Sequence, residues 1–181
     1  MPVYLKDIKE FPELEGFKSV LIIPCRFCPA ASMAVRTNRP YFEFLRKFLK
    51  TAAYEELIGT IQSKLKEKGV KTDVFKSYWP HQFVVCMWTR RRRKKLLKRA
   101  AKYDALVVLG CEAALDTIHG AVKSTSCKIF QGMKNEGIMS IQPRFHRPCN
   151  ISLELNNVTP LVHQAAHSVP WVRLQWGTKQ N

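Results

Sequence analysis

Two short apolar runs constrain the fold more than anything else in the chain: Val20-Leu21-Ile22-Ile23 and Ala105-Leu106-Val107-Val108-Leu109. Neither alternates with polar residues, so a strand built from either must be covered on both faces, as inside a parallel sheet flanked by helices. Both are about strand length and far short of the roughly 20 apolar residues a membrane-spanning helix needs, so no membrane span is expected. Each run leads into a cysteine, through Pro24 to Cys25 and through Gly110 to Cys111.

Helical periodicity lies between the runs. From Tyr41, the residues Phe42, Leu45, Phe48, Leu49, Ala52, Ala53, Leu57, Ile58, Ile61 and Leu65 recur at helical spacing as far as Gly69, as one long helix or two consecutive ones. Val70 to Lys76 reads as a second strand and Trp79 to Trp88 as a connection. Arg90 to Lys102 reads as a strongly basic helix with a narrow apolar stripe of Leu96, Leu97, Ala100 and Ala101. Glu112 to Val122 is a further helix and Cys127 to Gln131 a further short strand.

Strand and helix in alternation predict an α/β fold: one doubly wound, mostly parallel, Rossmann-like three-layer sheet with right-handed crossovers. At 181 residues the chain is long enough for one buried core and short for two. A single α/β metal-binding domain is therefore expected over residues 18–142, preceded by an arm at 1–17 and followed by a less regular extension at 143–181 packed on the same domain. Within that tail, Asn150 to Leu155 and Trp171 to Trp176 alternate enough for edge strands, punctuated by Pro148, Pro160 and Pro170.

There are six cysteines. The opening MPVYLKDIKEFPELEGF is mixed in charge and has neither the apolar core nor the cleavage site of a secretory signal. A reducing cytoplasm is expected, which leaves the thiols free to act as ligands. In open α/β sheets ligands collect beyond the carboxyl ends of the strands. Cys25 and Cys28 follow the first strand as C-x-x-C, Cys86 precedes the basic helix, and Cys111 follows the third strand. Four thiolates from three loops suit a cubane iron–sulfur cluster and equally the tetrahedral preference of zinc. The competing readings are packing, since free cysteine is among the most buried residue types, and a dithiol redox pair at Cys25 and Cys28. Cys127 opens a strand and belongs at the opposite end of the sheet as a packing residue. Cys149, in His146-Arg147-Pro148-Cys149, is read as a loop residue rather than a fifth ligand.

Taken in order from Lys18 to Ser140, the segments VLIIPCRFC, FVVCMW, YDALVVLGC and IFQGMKNEGIMS resemble the small cysteine-rich domain associated with methylenetetrahydrofolate reductase in acetogens and related anaerobes. The resemblance implies an iron–sulfur cluster, of the 4Fe-4S type, in preference to zinc, on Cys25, Cys28, Cys86 and Cys111. The chain departs from that pattern at three places. Ser32 stands where the family often has a third cysteine, Glu112 where it has a glycine, and Gln142 to Leu155, with only Cys149 nearby, replaces a later cysteine-rich segment. A single centre is implied.

Thirty Lys and Arg against fourteen Asp and Glu give a net charge of +16, which favours an anionic partner: nucleic acid, an acidic protein, a phosphorylated cofactor or a membrane surface. Arg90-Arg91-Arg92-Arg93-Lys94-Lys95, with Lys98 and Arg99, is either a solvated face, a docking site for an acidic protein, or, with Trp79 and Trp88 stacking on bases, a nucleic-acid site. Cations at a helix start oppose the helix dipole and imply an anionic counterpart. His119, in Asp116-Thr117-Ile118-His119-Gly120, lacks the spacing of a cobalamin site; Gly132, Asn135 and Gly137 lack that of a phosphate loop. No Ser-His-Asp or paired-carboxylate arrangement is supported by spacing.

The expected function is an iron–sulfur-cluster-binding protein, an electron-transfer or accessory subunit of an anaerobic enzyme system such as a one-carbon or methyl-transfer system, working with an acidic protein or within a larger complex. The alternative is a zinc-stabilised binding module for nucleic acid or an acidic protein. A third reading is an enzyme whose metal keeps an open position, with His81 or His146 as proton donor.

Overall fold

The computed structural model describes residues 2–8, 16–43, 51–76, 83–147 and 150–161. The two apolar runs lie in β2 (Ser19–Pro24) and β5 (Ala105–Leu109), which pair in parallel with Val20 opposite Ala105 and Pro24 opposite Leu109. β4 (Lys71–Val74) pairs with the other edge of β2, and β6 (Lys128–Gln131) with the other edge of β5, giving a four-stranded parallel sheet in the order β4-β2-β5-β6. Val20 to Ile23 and every residue of β5 have no solvent exposure, which is why neither run tolerates a polar alternation. The chain goes from β2 to β4 on one side and then to β5 on the other, so the winding reverses between β2 and β5.

Helices α2 (Ala52–Glu67), α3 (Arg90–Ala100) and α4 (Glu112–Val122) connect these strands. Gly69, with φ of 76°, supplies the left-handed residue that ends α2. Between the cysteine pair and α2 the chain also forms α1 (Cys28–Thr37), with Pro29 in its first turn and left-handed Asn38 at its end.

The expectation of one mostly parallel Rossmann-like sheet is corrected by a second, antiparallel sheet. It is built from β1 (Val3–Asp7), β3 (Phe42–Glu43), β7 (Met133–His146) and β8 (Asn150–Pro160), in the order β1-β7-β8-β3. β7 and β8 are long strands, of 14 and 11 residues, in the stretch whose later part the sequence suggested was irregular. Bulges between Tyr4 and Leu5 and between Ser140 and Ile141 shift the register. Each shift puts the inward face out of phase, so neither strand carries one clean alternation. The opening residues, expected as an arm, contribute β1, whose Leu5 is fully buried.

Gly132 joins the sheets, lying between the end of β6 and the start of β7. Its N–H donates to the Val108 carbonyl at 2.8 Å, and its own carbonyl accepts from Ile8 N–H at 3.1 Å. A Cβ here would lie 2.5 Å from Leu109 Cδ2 and 3.1 Å from Val107 Cγ1, so only glycine lets the chain cross this closely. α1 packs against β1, β8 and α2. The hydroxyl of Ser32, fully buried on α1, accepts from Leu5 N–H at 2.9 Å and can donate to the Cys28 carbonyl at 2.9 Å, fastening β1 to the helix that begins at the second cysteine. Among the described residues no helix is long and apolar enough to cross a membrane. The expected strand at Trp171 to Trp176, together with Trp79, His81 and Cys149, lies outside the described residues.

Candidate metal centre

Cys25 continues the ladder one step beyond β2, its N–H donating to the Leu109 carbonyl at 2.9 Å. The next residue, Arg26, donates its N–H to the Phe83 carbonyl at 2.8 Å, drawing the cysteine loop against the approach to the short 3-10 turn Val85–Met87. Cys28 is the first residue of α1, and Cys111 is the N-cap residue of α4. Between Leu109 and Cys111, Gly110 permits a close approach, since a Cβ there would lie 2.7 Å from Ala114 Cβ and 3.4 Å from Cys25 Cβ. Cys25, Cys28 and Cys111 therefore stand where the winding of the parallel sheet reverses.

Cys86 comes from the 3-10 turn, which packs on α4. That turn is pinned from the basic helix. Arg92 lies over the Phe75 ring at 4.3 Å and the Trp88 ring at 5.2 Å, and Arg93 Nε donates to the Trp88 carbonyl at 3.1 Å. Val85 and Trp88 are buried, while Cys86 between them is exposed and Met87 is 74% exposed.

The four thiols sense one another. The interaction between the Cys28 and Cys111 thiols raises Cys28 and lowers Cys111 to about 6. The N–H groups of Ala113 and Ala114, at the start of α4, add to the lowering of Cys111. Burial pushes the Cys25 thiol up to about 11, with the charges of Cys111 and Cys86 acting in the same sense. Burial also raises Cys86, and Cys111 adds to that rise.

Backbone N–H groups favour the thiolate form of every one of them: Val85 and Phe27 at Cys25, Val3 at Cys28, Ala113 and Ala114 at Cys111, and its own N–H at Cys86. The contribution of Val3 comes from β1, in the sheet that the sequence reading missed. Two phenols complete the surroundings. Tyr54 is fully buried and donates to the Leu109 carbonyl at 3.0 Å, and both Tyr54 and Tyr41 are raised by burial and by the cysteines.

Among the described residues, no group of three or more His, Cys, Asp or Glu side chains is gathered tightly enough to hold one metal ion. A mononuclear zinc site needs all its sulfurs about 2.3 Å from a single point. A cubane cluster places each thiolate on a different iron, so its ligands stand further apart. Thiols drawn from separate segments are a donor set that zinc and iron–sulfur clusters both take.

The remaining candidates sit elsewhere. Cys127 immediately precedes β6, at the edge of the parallel sheet where the strands begin, and burial with Asp104 pushes its thiol up to about 11. His146 pairs its Nε2 with Ser152 Oγ at 2.7 Å in the β7–β8 ladder, and His119 is an exposed residue of α4. Arg26, between Cys25 and Cys28, is only 7% exposed, which the sequence does not foretell. A charged residue between two cysteines carries no signal of its own burial. The chain matches no family model, no curated protein and no solved structure.

Proposed function

We propose that the chain binds a 4Fe-4S cluster through Cys25, Cys28, Cys86 and Cys111 and serves an anaerobic enzyme system as an electron-transfer or accessory subunit. The observation that carries this reading is the placement of the four cysteines around the winding reversal: Cys25 continues β2, Cys28 opens α1, Cys111 precedes α4, and Cys86 lies in the turn that packs on α4. Backbone hydrogen bonds to such sulfurs help set the potential of a cluster. The cluster supplies one-electron transfer when bound. The residues of the chain orient it: the strand ends hold Cys25 and Cys111, Gly110 brings them together, and the Trp88 packing fixes the turn of Cys86. The five described cysteines are free thiols, in keeping with a reducing cytoplasm.

The basic helix supports an acidic protein partner. Arg90, Arg91, Lys94, Lys95 and Lys98 are exposed on the element next to Cys86, whereas Arg92 and Arg93 turn back to brace that cysteine's turn. Exposed cations that contribute little to folding steer association with negative surfaces.

A second reading rests on the lowered thiol of Cys111 and its coupling to Cys28, which also suits a dithiol that gives two electrons and two protons to an external disulfide. Anaerobic purification with iron, acid-labile sulfide and zinc analysis separates the readings. About four iron and four sulfide per chain with broad absorbance near about 400 nm is the expected result. A colourless iron-free chain overturns the cluster; zinc in it favours a zinc-stabilised module, and reversible loss of two thiols favours the dithiol.

A further inference from the structure

At the amino ends of the parallel strands, the end of the sheet away from Cys25 and Cys111, a cleft of about 630 Å³ opens, within the roughly 300–1,000 Å³ of small-molecule sites. Lys18, Lys102 and Lys128 line it together with Phe17, Tyr103 and Asp104. Each lysine belongs to the start of a different strand: Lys18 stands before β2, Lys102 before β5, and Lys128 opens β6. All three are exposed.

The cleft follows from how those strands begin. The Lys18 carbonyl accepts from Lys71 N–H at 2.9 Å, the Ser19 carbonyl from Asp104 N–H at 3.1 Å, and the Asp104 carbonyl from Lys128 N–H at 3.0 Å. The backbone beneath the lysines is therefore fixed by the sheet. The carboxylate among them is already engaged, since Asp104 Oδ2 accepts from Lys18 N–H at 3.1 Å, Ser19 N–H at 2.8 Å and the Ser19 hydroxyl at 2.9 Å. Lys128 Nζ lies 5.5 Å from the centre of the Phe17 ring, which meets Phe130 edge-on at 5.6 Å. Among the described residues none of the three lysines is in a salt bridge.

The fold itself does not call for this gathering of charge. The carbonyls of Leu97, Arg99 and Ala100, where α3 ends, accept from the N–H groups of Ala101, Lys102 and Tyr103, so the turn needs no lysine to cap it. Cations drawn together repel one another and oppose folding, and a bound anion relieves that repulsion. Lysine binds phosphate as a compact point charge, without the fixed fork that arginine offers. Three lysines beside one committed carboxylate leave an excess of positive charge that a group with several negative charges matches.

We propose that this cleft binds a small phosphorylated molecule, its di- or polyphosphate group held by Lys18, Lys102 and Lys128. The site lies at the other end of the strands from the cysteines and does not depend on a metal centre there.

Isothermal titration calorimetry of the full chain with inorganic pyrophosphate, ADP and, at matched ionic strength, sulfate tests it. Pyrophosphate and ADP should bind at a single site and sulfate more weakly. Tighter binding of ADP than of pyrophosphate supports a ligand with an organic body lying along Phe17, and equal binding supports a site that reads the phosphate group alone. Lys18→Gln, Lys102→Gln and Lys128→Gln should each weaken pyrophosphate by about threefold to tenfold, as for the loss of one charged contact. Thermal unfolding checks that each variant is folded, and if one is not, the other two decide. Arg91→Gln with Lys94→Gln, which removes two exposed charges from α3, should leave pyrophosphate binding in place.

The inference is overturned if the original protein binds neither pyrophosphate nor ADP, or binds them no better than sulfate. It is overturned equally if the α3 variant loses as much affinity as the lysine variants, which would assign the anion to the net charge of the chain rather than to the cleft.

Discussion

The N–H of Cys25 donates to the carbonyl oxygen of Leu109 across 2.9 Å, and the Tyr54 hydroxyl donates to the same oxygen at 3.0 Å. One carbonyl thus ties the end of β2, the end of β5 and the first turn of α2 together. Two apolar strands, an aromatic side chain on a helix and a cysteine loop converge on it, so the placement of Cys25 follows from the packing of the parallel sheet.

Cys111→Ser separates a ligand from a packing residue. Serine changes the volume little, so a packing role predicts modest destabilisation with metal retained. As a ligand, Cys111 should be worth at least the about 10–100-fold in affinity that outer-shell partners contribute, and the associated folding free energy should go with it. Iron per chain should fall sharply in Cys111→Ser and stay unchanged in Cys127→Ser. Equal occupancy in the two would refute the site, and loss in Cys127→Ser alone would put the centre at the other end of the sheet.

The metal-free protein should show a two-armed pH dependence. Cys111 ionises at about 6 in the fold and near about 8.5 when unstructured. Between those values the unfolded chain binds more protons, so stability rises with pH across the window and is lost as pH falls through about 6. Above the unfolded value Cys25 and Cys28 reverse the trend, because thiols held neutral in the fold ionise first in the unfolded chain. Urea titrations of the reduced chain check both arms, and Cys111→Ser should flatten the lower one. An unchanged lower arm in that variant would show that another group produces it.

The basic helix should divide into two classes of cation. A triple change of Arg91, Lys94 and Lys95 to Gln should leave stability within about 0.5 kcal/mol, as expected for exposed residues. Binding to an acidic protein should weaken in that variant and lose much of its salt dependence. Arg92→Gln removes the stacking on Phe75 and Trp88 and should cost about 0.5–2 kcal/mol. Calorimetry at two salt concentrations and thermal unfolding read these separately. Unaltered binding in the triple variant would reduce the helix to a solvated face.

Ser32→Ala tests the tie between β1 and α1. It leaves the buried Leu5 N–H without its 2.9 Å acceptor, at a cost of about 1–3 kcal/mol. Protection of the β1 amides against hydrogen exchange should fall before that of β5. Unchanged stability and β1 protection would show that Ser32 does not fasten that strand.

The sequence by itself determined the central strands of the parallel sheet and put Cys25 and Cys111 just beyond their carboxyl ends. Val20 to Ile23 and Ala105 to Leu109 are apolar without interruption because both of their faces are covered, and that pattern is legible without knowing what covers them. Helix α4 begins and ends where its periodicity predicts, and Gly69 stops α2 through its own backbone freedom. Only the tertiary structure decided the second sheet. β1 and β7 meet across more than a hundred residues of chain, with bulges that break their alternation, and local pattern carries no record of so distant a partner. The same holds for the burial of Arg26, which depends on Glu55 arriving on α2, and for the N–H of Val3 beside Cys28. Periodicity reports the faces an element must bury, whereas the partner of a single charge or N–H is set by where the whole chain has packed.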